Sequence, residues 1–268
     1  MIIKIFDVAH GFCAHIVTDS GKSILVDCGQ NEETGFQPSN YISRQGRTDI
    51  ERLIVSNYDE DHISDLPNLT TQLPVQILYR NPSISADELE GLKSEAGPIQ
   101  PGMRSLLDLI RQYGRTITQP FESDGTALHF FWNPYPAFED TNNLSLVTFF
   151  HYGNIHTIFP GDLEVDGWSG LLANEMFRTE LGRVNVFVAS HHGRESGYCP
   201  DVFDYCHPEL VIISDESIQY DTQNTPYAQH AQGIEWGEGR RYVLTTRNDG
   251  MITISEERGG EATIRTAR

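Results

Sequence analysis

The chain is poor in cysteine and has no long apolar run. It contains 4 cysteines among 268 residues, and none of them form the C-x-x-C pairs of thiol redox centres and cysteine-based zinc modules. We expect reduced, mostly buried thiols, as in a cytoplasmic protein, although a disulfide between Cys199 and Cys206 stays open for an oxidising compartment. No stretch approaches the ~18 apolar residues of a membrane span, so we expect no membrane segment.

Positive charge is also scarce. The chain has 19 lysines and arginines against 38 aspartates and glutamates, which gives a net charge of −19. Such a surface repels nucleic acid and anionic membranes, so a nucleic-acid substrate requires a local basic lip or bound cations. Residues 1–12 lack a charged leader and a small-residue cleavage site, and we do not expect them to form a signal peptide.

Strand-like apolar runs alternate with helical patterns along the chain, without an internal repeat or a linker. We therefore predict one α/β domain spanning residues 1–268. The predicted strands are residues 2–8, 13–19, 23–28, 53–56, 75–79, 126–132, 144–151, 155–159, 184–189 and 210–214. The other predictions are helices at 38–45, 103–113, 166–181, 201–206 and 226–232, a surface excursion at 81–100, and a hairpin of residues 242–246 and 251–255 around the turn Asn248-Asp249-Gly250.

The stretch LIVSNYDEDHISDL, residues 53–66, combines a buried strand with a dense polar turn. Acids packed this closely repel one another, and burying them without a partner is costly. Asp59, Asp61 and His62 offer two carboxylates and an imidazole, a set that suits Zn²⁺ or Mn²⁺. The alternative is a solvated acidic loop between a strand and a helix.

Two further strands end in the same residue types. The strand at 155–159 runs into Asp162, and the strand at 184–189 runs into His191 and His192. In a layered α/β protein, strand ends that share one edge form a common cleft where loops converge. A site for one or two metal ions explains three such ends better than chance does.

The order of these residues resembles the metallo-β-lactamase fold superfamily. Its hallmark is H-x-H-x-D-H after a strand, then a third ligand, a metal-bridging Asp and a final His. Asp61-His62 match the D-H pair, Asp162 matches the bridging Asp, and His191 matches the final His. The resemblance implies an αββα sandwich, in which two mixed β-sheets pack face to face with helices outside.

One branch of that superfamily is more similar than the others. Segments 7–29, 142–150, 159–164 and 190–197 resemble the soluble β-lactamase-like domain of the ComEC-type competence proteins, which act in DNA uptake. The resemblance runs from residue 1 to about residue 230. It specifies the superfamily better than the reaction, because this fold hosts the hydrolysis of lactams, thioesters, lactones and phosphodiesters.

The chain departs from the superfamily pattern at several ligand positions. Asn57 and Asp59 stand where its first and second His would be, and Asn142 or Asn143 lies where the third ligand is usual. The resemblance then implies one good metal site formed by Asp61, His62, Asp162 and His191. It also implies a weaker, oxygen-rich partner site of Asp59, Asp162 and an Asn, which favours Mn²⁺ or Mg²⁺ over Zn²⁺.

Further residues receive roles around this site. Asp61 is expected to orient the nucleophile, and His192 to act as a proton donor or phosphate contact, or else to orient His191. Asn143 is a candidate for binding a substrate oxygen. Arg194 replaces the Ser that the family has after H-H-G, and it either binds an anionic substrate or lies on the surface. His10 is a candidate for lining the cleft, and Asp221 and Thr222 are weaker candidates.

These features predict a metal-dependent hydrolase that uses a metal-activated water, acting as a phosphodiesterase or nuclease. The expected cofactor is one or two divalent ions, Mn²⁺ or Zn²⁺, with Mg²⁺ as an option. The expected partners are nucleic acid or another phosphodiester, with protein partners in a multi-component system as an option and no membrane. Two alternatives stay open: hydrolysis of a small anionic substrate such as a nucleotide or lactone, and a degenerate module that kept the fold for binding or assembly.

Overall fold

Fifteen strands dominate the computed structural model, which describes residues 1–114, 125–216, 222–257 and 260–268. The strands in chain order are β1 (Ile2–Ile5), β2 (Ala14–Val17), β3 (Ser23–Val26), β4 (Ile50–Ile54), β5 (Val75–Tyr79), β6 (Thr126–Trp132), β7 (Leu146–Tyr152), β8 (Ile155–Phe159), β9 (Val186–Val188), β10 (Leu210–Ile213), β11 (Ile234–Trp236), β12 (Gly239–Arg241), β13 (Val243–Thr245), β14 (Met251–Ser255) and β15 (Thr263–Ala267). The predicted strands at 75–79, 126–132 and 155–159 are therefore confirmed to the residue.

Helices and helical turns connect the strands. The α-helices in chain order are α1 (Pro38–Arg44), α2 (Glu60–Ile63), α3 (Leu66–Gln72), α4 (Ala86–Ala96), α5 (Pro101–Gln112), α6 (Val165–Leu172), α7 (Glu175–Leu181), α8 (Asn224–His230) and α9 (Thr246–Asp249). Three short 3₁₀ turns follow β9, at Ser190–Gly193, Glu195–Gly197 and Pro200–Asp204.

The strands form two large mixed sheets. The first has the order β15-β14-β1-β2-β3-β4-β5, and its β3, β4 and β5 run parallel while the remaining neighbours are antiparallel. The second has the order β13-β10-β9-β8-β7-β6, in which β13 to β8 are parallel and the β8-β7-β6 part is an antiparallel meander. The short pair β11-β12 stands apart.

Three apolar layers show how the sheets and helices stack. Alternate residues of the first sheet, such as Ile3 and Ile16, pack against residues of the second, such as Phe150 and Ile212. The opposite face of the first sheet contacts α1, α3, α4 and α5. The opposite face of the second contacts α6, α7 and α8 around the fully buried Trp168. The predicted αββα sandwich of two mixed β-sheets with outer helices is confirmed.

The predicted hairpin of residues 242–246 and 251–255 is wrong. Strand β13 lies parallel to β10 in the second sheet, whereas β14 pairs with β1 in the first. The connection is the helical turn α9, in which the Thr245 hydroxyl accepts a hydrogen bond from the Asn248 amide at 3.2 Å. Gly250 ends the turn with a φ of 69°. The turn signal was therefore real, but the chain crosses between sheets there.

Two further predictions change, the surface excursion expected at 81–100 and the single helix expected at 166–181. Residues 81–100 contain α4, which begins at a capping box between Ser85 and Glu88. Only Leu89 of α4 is buried, so its apolar periodicity is too weak to be noticed. The helix predicted at 166–181 is two helices, because the Asn174 side chain accepts a hydrogen bond from the Met176 amide and begins α7 afresh.

The four cysteines are buried and form no disulfide with one another. In the described part of the chain, each helix is too short or too polar to cross a bilayer.

Candidate metal centre

Loops that follow three strands converge at one edge of the sandwich. Asp61 and His62 belong to α2 after β4, Asp162 follows β8, and His192 follows β9. One ligand atom from each of these four residues lies within 4.8 Å of the others. We call them the four-residue cluster.

Contacts within the four-residue cluster are short. The Nε2 atom of His62 lies 3.0 Å from Asp162 Oδ1. The Nε2 atom of His192 lies 3.2 Å from Asp61 Oδ2 and 3.5 Å from Asp162 Oδ1. The two Nε2 atoms are 3.3 Å apart. Two imidazole nitrogens and two carboxylates therefore point at one small volume.

Hydrogen bonds behind the cluster fix the tautomers of both histidines. The Nδ1 atom of His192 lies 3.0 Å from the Ser214 carbonyl, which can only accept, so this nitrogen carries the hydrogen. The Nδ1 atom of His62 donates in the same way to Asp27 Oδ2 at 2.7 Å. In the neutral histidines, both Nε2 lone pairs then face the carboxylates of the cluster. Orientation of ligand imidazoles by a carboxylate or a carbonyl is characteristic of metal sites.

Electrostatics supports a bound cation. Burial by itself lowers the pKa of His62 and His192, but the carboxylates around them outweigh it. Asp162 and Asp27 raise the pKa of His62 well above its ordinary value, and Asp162 and Asp61 raise the pKa of His192 to about 9. The pKa of Asp162 is lowered well below its usual range, because the two imidazoliums outweigh its own burial. The two imidazoliums balance the carboxylates of the cluster, and the same two nitrogens and two oxygens suit a divalent ion, whose binding would displace these protons.

The backbone around the cluster is strained. In the described residues, four non-glycine residues have a positive φ: Ala9 (56°), Asp27 (57°), His191 (49°) and His192 (54°). Each such residue costs roughly 1–3 kcal/mol and persists where the surroundings impose it. All four lie in the loops that form the site, which is where such strain is usually stored.

Two glycines let the Asp61 backbone approach these loops. A Cβ on Gly29 would lie 2.1 Å from the Asp61 carbonyl oxygen, and a Cβ on Gly11 would lie 2.4 Å from it. Neither distance is possible for a real side chain. The two glycines therefore allow α2 to sit directly against the β1–β2 and β3–α1 connections.

The structure places His191 outside the four-residue cluster. Its Nδ1 atom lies 2.9 Å from the Ser196 hydroxyl and 3.2 Å from Glu164, and its Nε2 accepts from Arg194 Nη1 at 3.2 Å. The sequence-based assignment made His191 the ligand and His192 a proton donor, a phosphate contact or a residue that orients His191. The geometry instead places His192 among the converging donors, because the two left-handed residues turn its ring inward; the ligand roles themselves stay predictions.

Of the residues predicted for a second, oxygen-rich site, Asp162 lies in the four-residue cluster, whereas Asp59 contacts other side chains. The Asp59 carboxylate forms an ion pair with Lys93 at 2.5 Å and accepts from the Thr141 hydroxyl at 3.2 Å. Buried Asn57 donates to the Ser145 hydroxyl and to Asn142 Oδ1. Asp59 therefore pairs with Lys93 and lies apart from the four-residue cluster, and its role as a metal ligand stays a prediction.

Asn143, predicted to bind a substrate oxygen, holds the loop before α6. Its Oδ1 accepts from the backbone amides of Glu164 and Gly167 at 3.1 and 2.9 Å, and its amide nitrogen donates to Asp140. These contacts use the side chain from both ends. They position Glu164 and the segment that carries Asp162.

Arg194 and His10 lie together beside Asp61. The guanidinium donates to His10 Nε2 at 2.6 Å, and that nitrogen is 3.6 Å from Asp61 Oδ2. The His10 ring centroid is 4.5 Å from that of His192. Burial first, and then His192, lower the pKa of His10 to about 4, so it is neutral at pH 7. Arg194 therefore supplies a lasting positive charge next to the cluster.

Asp221, a weaker candidate from the sequence, lies outside the described residues.

Sequence reasoning missed Asp27 and Ser214. Both follow strands of the sandwich, β3 and β10, and both fix a histidine of the cluster. A signal for Asp27 was available, because this acid stands near the end of the strand predicted at 23–28, and Asp162 follows the strand predicted at 155–159. Ser214 acts through its backbone carbonyl, which no side-chain pattern reveals.

An αββα sandwich with histidines and carboxylates at its strand ends defines a metallo-hydrolase type of protein. The family description "Metallo-beta-lactamase superfamily" matches residues 11–199, which is more than half of the chain. The chain belongs to this superfamily, whose members are typically metal-dependent hydrolases.

Known structures resemble the chain at low identity. Igni18, a metallo hydrolase from Ignicoccus hospitalis, is 11% identical over 100% of both chains with a TM-score of 0.47. A diphosphatase of the PhnP family is 10% identical, over 97% of this chain and 100% of that one, with a TM-score of 0.48. Zn²⁺-bound PqqB from Methylobacterium extorquens is 13% identical, over 81% and 89%, with a TM-score of 0.46. No curated protein matches the sequence significantly.

The metal-free protein should lose stability as the pH rises from 6.5 to 9. A histidine whose folded pKa lies above its unfolded value of ~6.5 stabilises the fold below that value, and the gain is lost as pH rises through the folded pKa. The pKa of His192 is raised to about 9, which corresponds to at most about 3 kcal/mol. Melting temperatures measured with a chelator across this range should fall. Excess Mn²⁺ or Zn²⁺ should raise the melting temperature, and this increase should become larger as the pH rises, because metal binding releases protons.

The variant His192→Gln provides the control for this pH dependence. Its chelated form should melt with a flatter profile over the same range. A chelated wild-type protein that melts at the same temperature at pH 6.5 and pH 9 would contradict the proton-held cluster.

Proposed function

We propose that this protein is a metal-dependent phosphodiesterase and that its substrate is a nucleic acid or a related phosphodiester. One observation carries the proposal: the Arg194 guanidinium donates to His10, whose Nε2 atom is 3.6 Å from Asp61 Oδ2, so a permanent cation lies next to the four-residue cluster on a chain of net charge −19. The Arg194 guanidinium, which His10 and His191 hold in place, suits an anionic substrate. The similarity of four segments to the ComEC-type competence proteins agrees with a nucleic-acid substrate.

Four side chains would hold the metal: Asp61, His62, Asp162 and His192. A divalent ion there, Mn²⁺ or Zn²⁺ or else Mg²⁺, would lower the pKa of a water molecule and draw charge from a phosphoryl oxygen. The side chains around the ion supply the remaining functions. Asp61 has the most exposed side chain of the four, at 25%, so its carboxylate is the one able to orient an attacking water. His62 and His192 keep their hydrogens on Nδ1, so neither competes for that water as a donor.

Arg194 would bind the substrate. Its guanidinium offers paired donors that match a phosphate, and it is held by His10 and His191 through ring nitrogens that accept from it. His10 is neutral at pH 7, and we assign it the role of positioning Arg194.

We also propose that the protein acts in the cytoplasm, with other proteins of a multi-component system as partners.

A metal-resolved activity screen tests the proposal. Protein stripped with a chelator is reloaded with Mn²⁺, Zn²⁺ or Mg²⁺ and given single- and double-stranded DNA, RNA, bis(4-nitrophenyl) phosphate, nucleotides and a lactone. We expect cleavage of phosphodiesters that disappears in Asp61→Ala. Turnover of nucleotides or lactone alone would favour the small-substrate alternative. Less than a tenth of an equivalent of bound metal, with no melting shift on adding Mn²⁺, would favour the binding or assembly module.

Substitution Arg194→Gln should weaken the binding of anionic substrates. A hydrogen bond to a charged group contributes roughly 1.5–3 kcal/mol, so KM for a phosphodiester should rise about 10- to 100-fold while kcat changes less. Steady-state kinetics with bis(4-nitrophenyl) phosphate measures both. Arg178→Gln, which removes an arginine from α7, is the matched control and should change neither constant. An unchanged KM in Arg194→Gln would place the guanidinium outside the substrate site.

A further inference from the structure

A second group of histidines lies on the outer face of the second sheet, away from the strand-end site. His151 and His156 face each other across β7 and β8, and His129 of β6 pairs with Phe149, two residues from His151. Residues related in this way share a face of the sheet. Glu180 of α7 lies over them. His156 is near the start of β8 and Asp162 follows its end, so the two groups are roughly 20 Å apart along an extended strand.

Three of these side chains converge on one point. The Glu180 carboxylate lies 3.0 Å from His129 Nδ1 through one oxygen and 2.8 Å from His151 Nε2 through the other. One ligand atom from each of the three residues lies within 4.8 Å of the others. Ligands at about 2.0–2.1 Å from a tetrahedral Zn²⁺ are about 3.3 Å from one another, so small shifts suffice to admit the ion.

Surrounding contacts prepare His151 as a ligand. Its Nδ1 lies 3.0 Å from His156 Nδ1, so when Nε2 binds a cation the hydrogen on Nδ1 has an acceptor, which is the usual support for a ligand imidazole.

We propose that His129, His151 and Glu180 form a second metal site that takes Zn²⁺ or a similar transition-metal ion. His129 is 43% exposed, so the fourth position opens to solvent. The ion would join the edge strand β6 and the central strand β7 to α7. This inference does not depend on the proposed phosphodiesterase activity.

The competing explanation is a hydrogen-bond network without metal. Glu180 can accept from both histidines, and Arg183 lies 3.4 Å from its Oε2. Arg183 is the feature that separates the two explanations. Its positive charge opposes a cation but supports a network around a carboxylate. Removing Arg183 should therefore tighten zinc binding if the metal site exists. If only the hydrogen-bond network exists, the removal should lower the melting temperature and leave zinc binding unchanged.

Zinc titration in the Asp162→Asn background tests the proposal, because that substitution disables the strand-end cluster. After chelator treatment, Asp162→Asn protein should bind about one equivalent of Zn²⁺ by calorimetry. Adding His129→Asn should weaken this binding more than about tenfold, and adding Arg183→Gln should strengthen it. His207→Asn serves as the control, because His207 is an exposed histidine that belongs neither to the four-residue cluster nor to the second group of histidines. Because His129 lies exposed on an edge strand, its substitution leaves the apolar layers intact.

Crystals of the wild-type protein grown with Zn²⁺ give an independent measurement. An anomalous-scattering peak between His129, His151 and Glu180 is expected in addition to any peak at the strand ends. Identical zinc isotherms for Asp162→Asn with and without His129→Asn would overturn the proposal, as would anomalous density confined to the strand-end site.

Discussion

Replacing Asp162 with asparagine should abolish metal binding at the four-residue cluster and reduce hydrolysis by about 10³-fold or more, which corresponds to roughly 4 kcal/mol of transition-state stabilisation. Asp162 is buried, and its Oδ1 lies 3.0 Å from His62 Nε2 and 3.5 Å from His192 Nε2. An amide keeps the shape of the carboxylate, but it carries no charge and is a weak ligand. The backbone amide of Asp162 still donates to the Ser145 hydroxyl, so the loop itself should be preserved.

Asp59→Asn provides the matched control. It removes an acid from the same loop system, but Asp59 is held by Lys93 and lies outside the cluster. Metal content by mass spectrometry and turnover of the best substrate from the screen should fall in Asp162→Asn and change less than about threefold in Asp59→Asn, as expected for a surface ion pair. Equal losses in both variants would restore the oxygen-rich site expected from the sequence. Full activity in Asp162→Asn would remove the cluster from the reaction.

The fold could be predicted because its strands carry strong local signals. β6 and β8 are dense in aromatic and β-branched residues, and each ends at an abrupt polar turn. The failures occurred where a local signal allows two long-range arrangements. The turn after β13 has the same residues whether the next strand returns to the same sheet or crosses to the other. Pairing of β14 with β1 decides it, and those residues are about 250 positions apart in the sequence.

The candidate site could be predicted only as far as residue type and strand ends reach. Asp61, His62 and Asp162 have both signals, and the structure brings them together. Neighbouring His191 and His192 are equivalent in a sequence. Which one turns inward depends on two consecutive left-handed residues, a conformation that glycine would announce and histidine does not.

Roles that act through another residue were beyond the sequence. Asn143 has the residue type of a ligand, but its amide is used to fix the α6 loop. Asp27 does not touch the cluster's centre, yet it determines which nitrogen of His62 is free to bind. Such a role becomes visible only when the donors and acceptors around the histidine are located.

Substitution Asp27→Asn should therefore have the second largest effect, although Asp27 is not itself in the four-residue cluster. The carboxylate accepts from the Ser56 amide at 2.6 Å, from the Ser56 hydroxyl, and from His62 Nδ1 at 2.7 Å. An asparagine has one acceptor oxygen. If that oxygen serves the Ser56 amide, its NH₂ group faces the N–H of His62 and the ring must move its hydrogen to Nε2. That hydrogen would then occupy the position of the metal.

The expected results are a 10- to 100-fold weaker metal affinity, the range seen when the residue that orients a ligand imidazole is changed, and a lower melting temperature from the mismatched buried donors. Asparagine tolerates the positive φ of 57° found at this position, so the backbone adds little to the change. Activity measured against Mn²⁺ concentration should recover most of kcat at high metal. Nitrogen-15 shifts of the His62 ring, followed in the metal-free protein as the pH is raised until the imidazolium loses a proton, should report which nitrogen keeps its hydrogen.

Asp65→Asn separates this role from a general loss of stability. Asp65 is another buried acid, and its Oδ2 accepts from the Ser39 amide at 2.7 Å without touching a histidine of the cluster. It should lower the melting temperature and leave metal affinity unchanged. A result in which Asp27→Asn binds metal as tightly as the wild type, with the His62 hydrogen still on Nδ1, would contradict this role. The Asp27 carboxylate would then not be the group that keeps His62 Nε2 free to bind the metal.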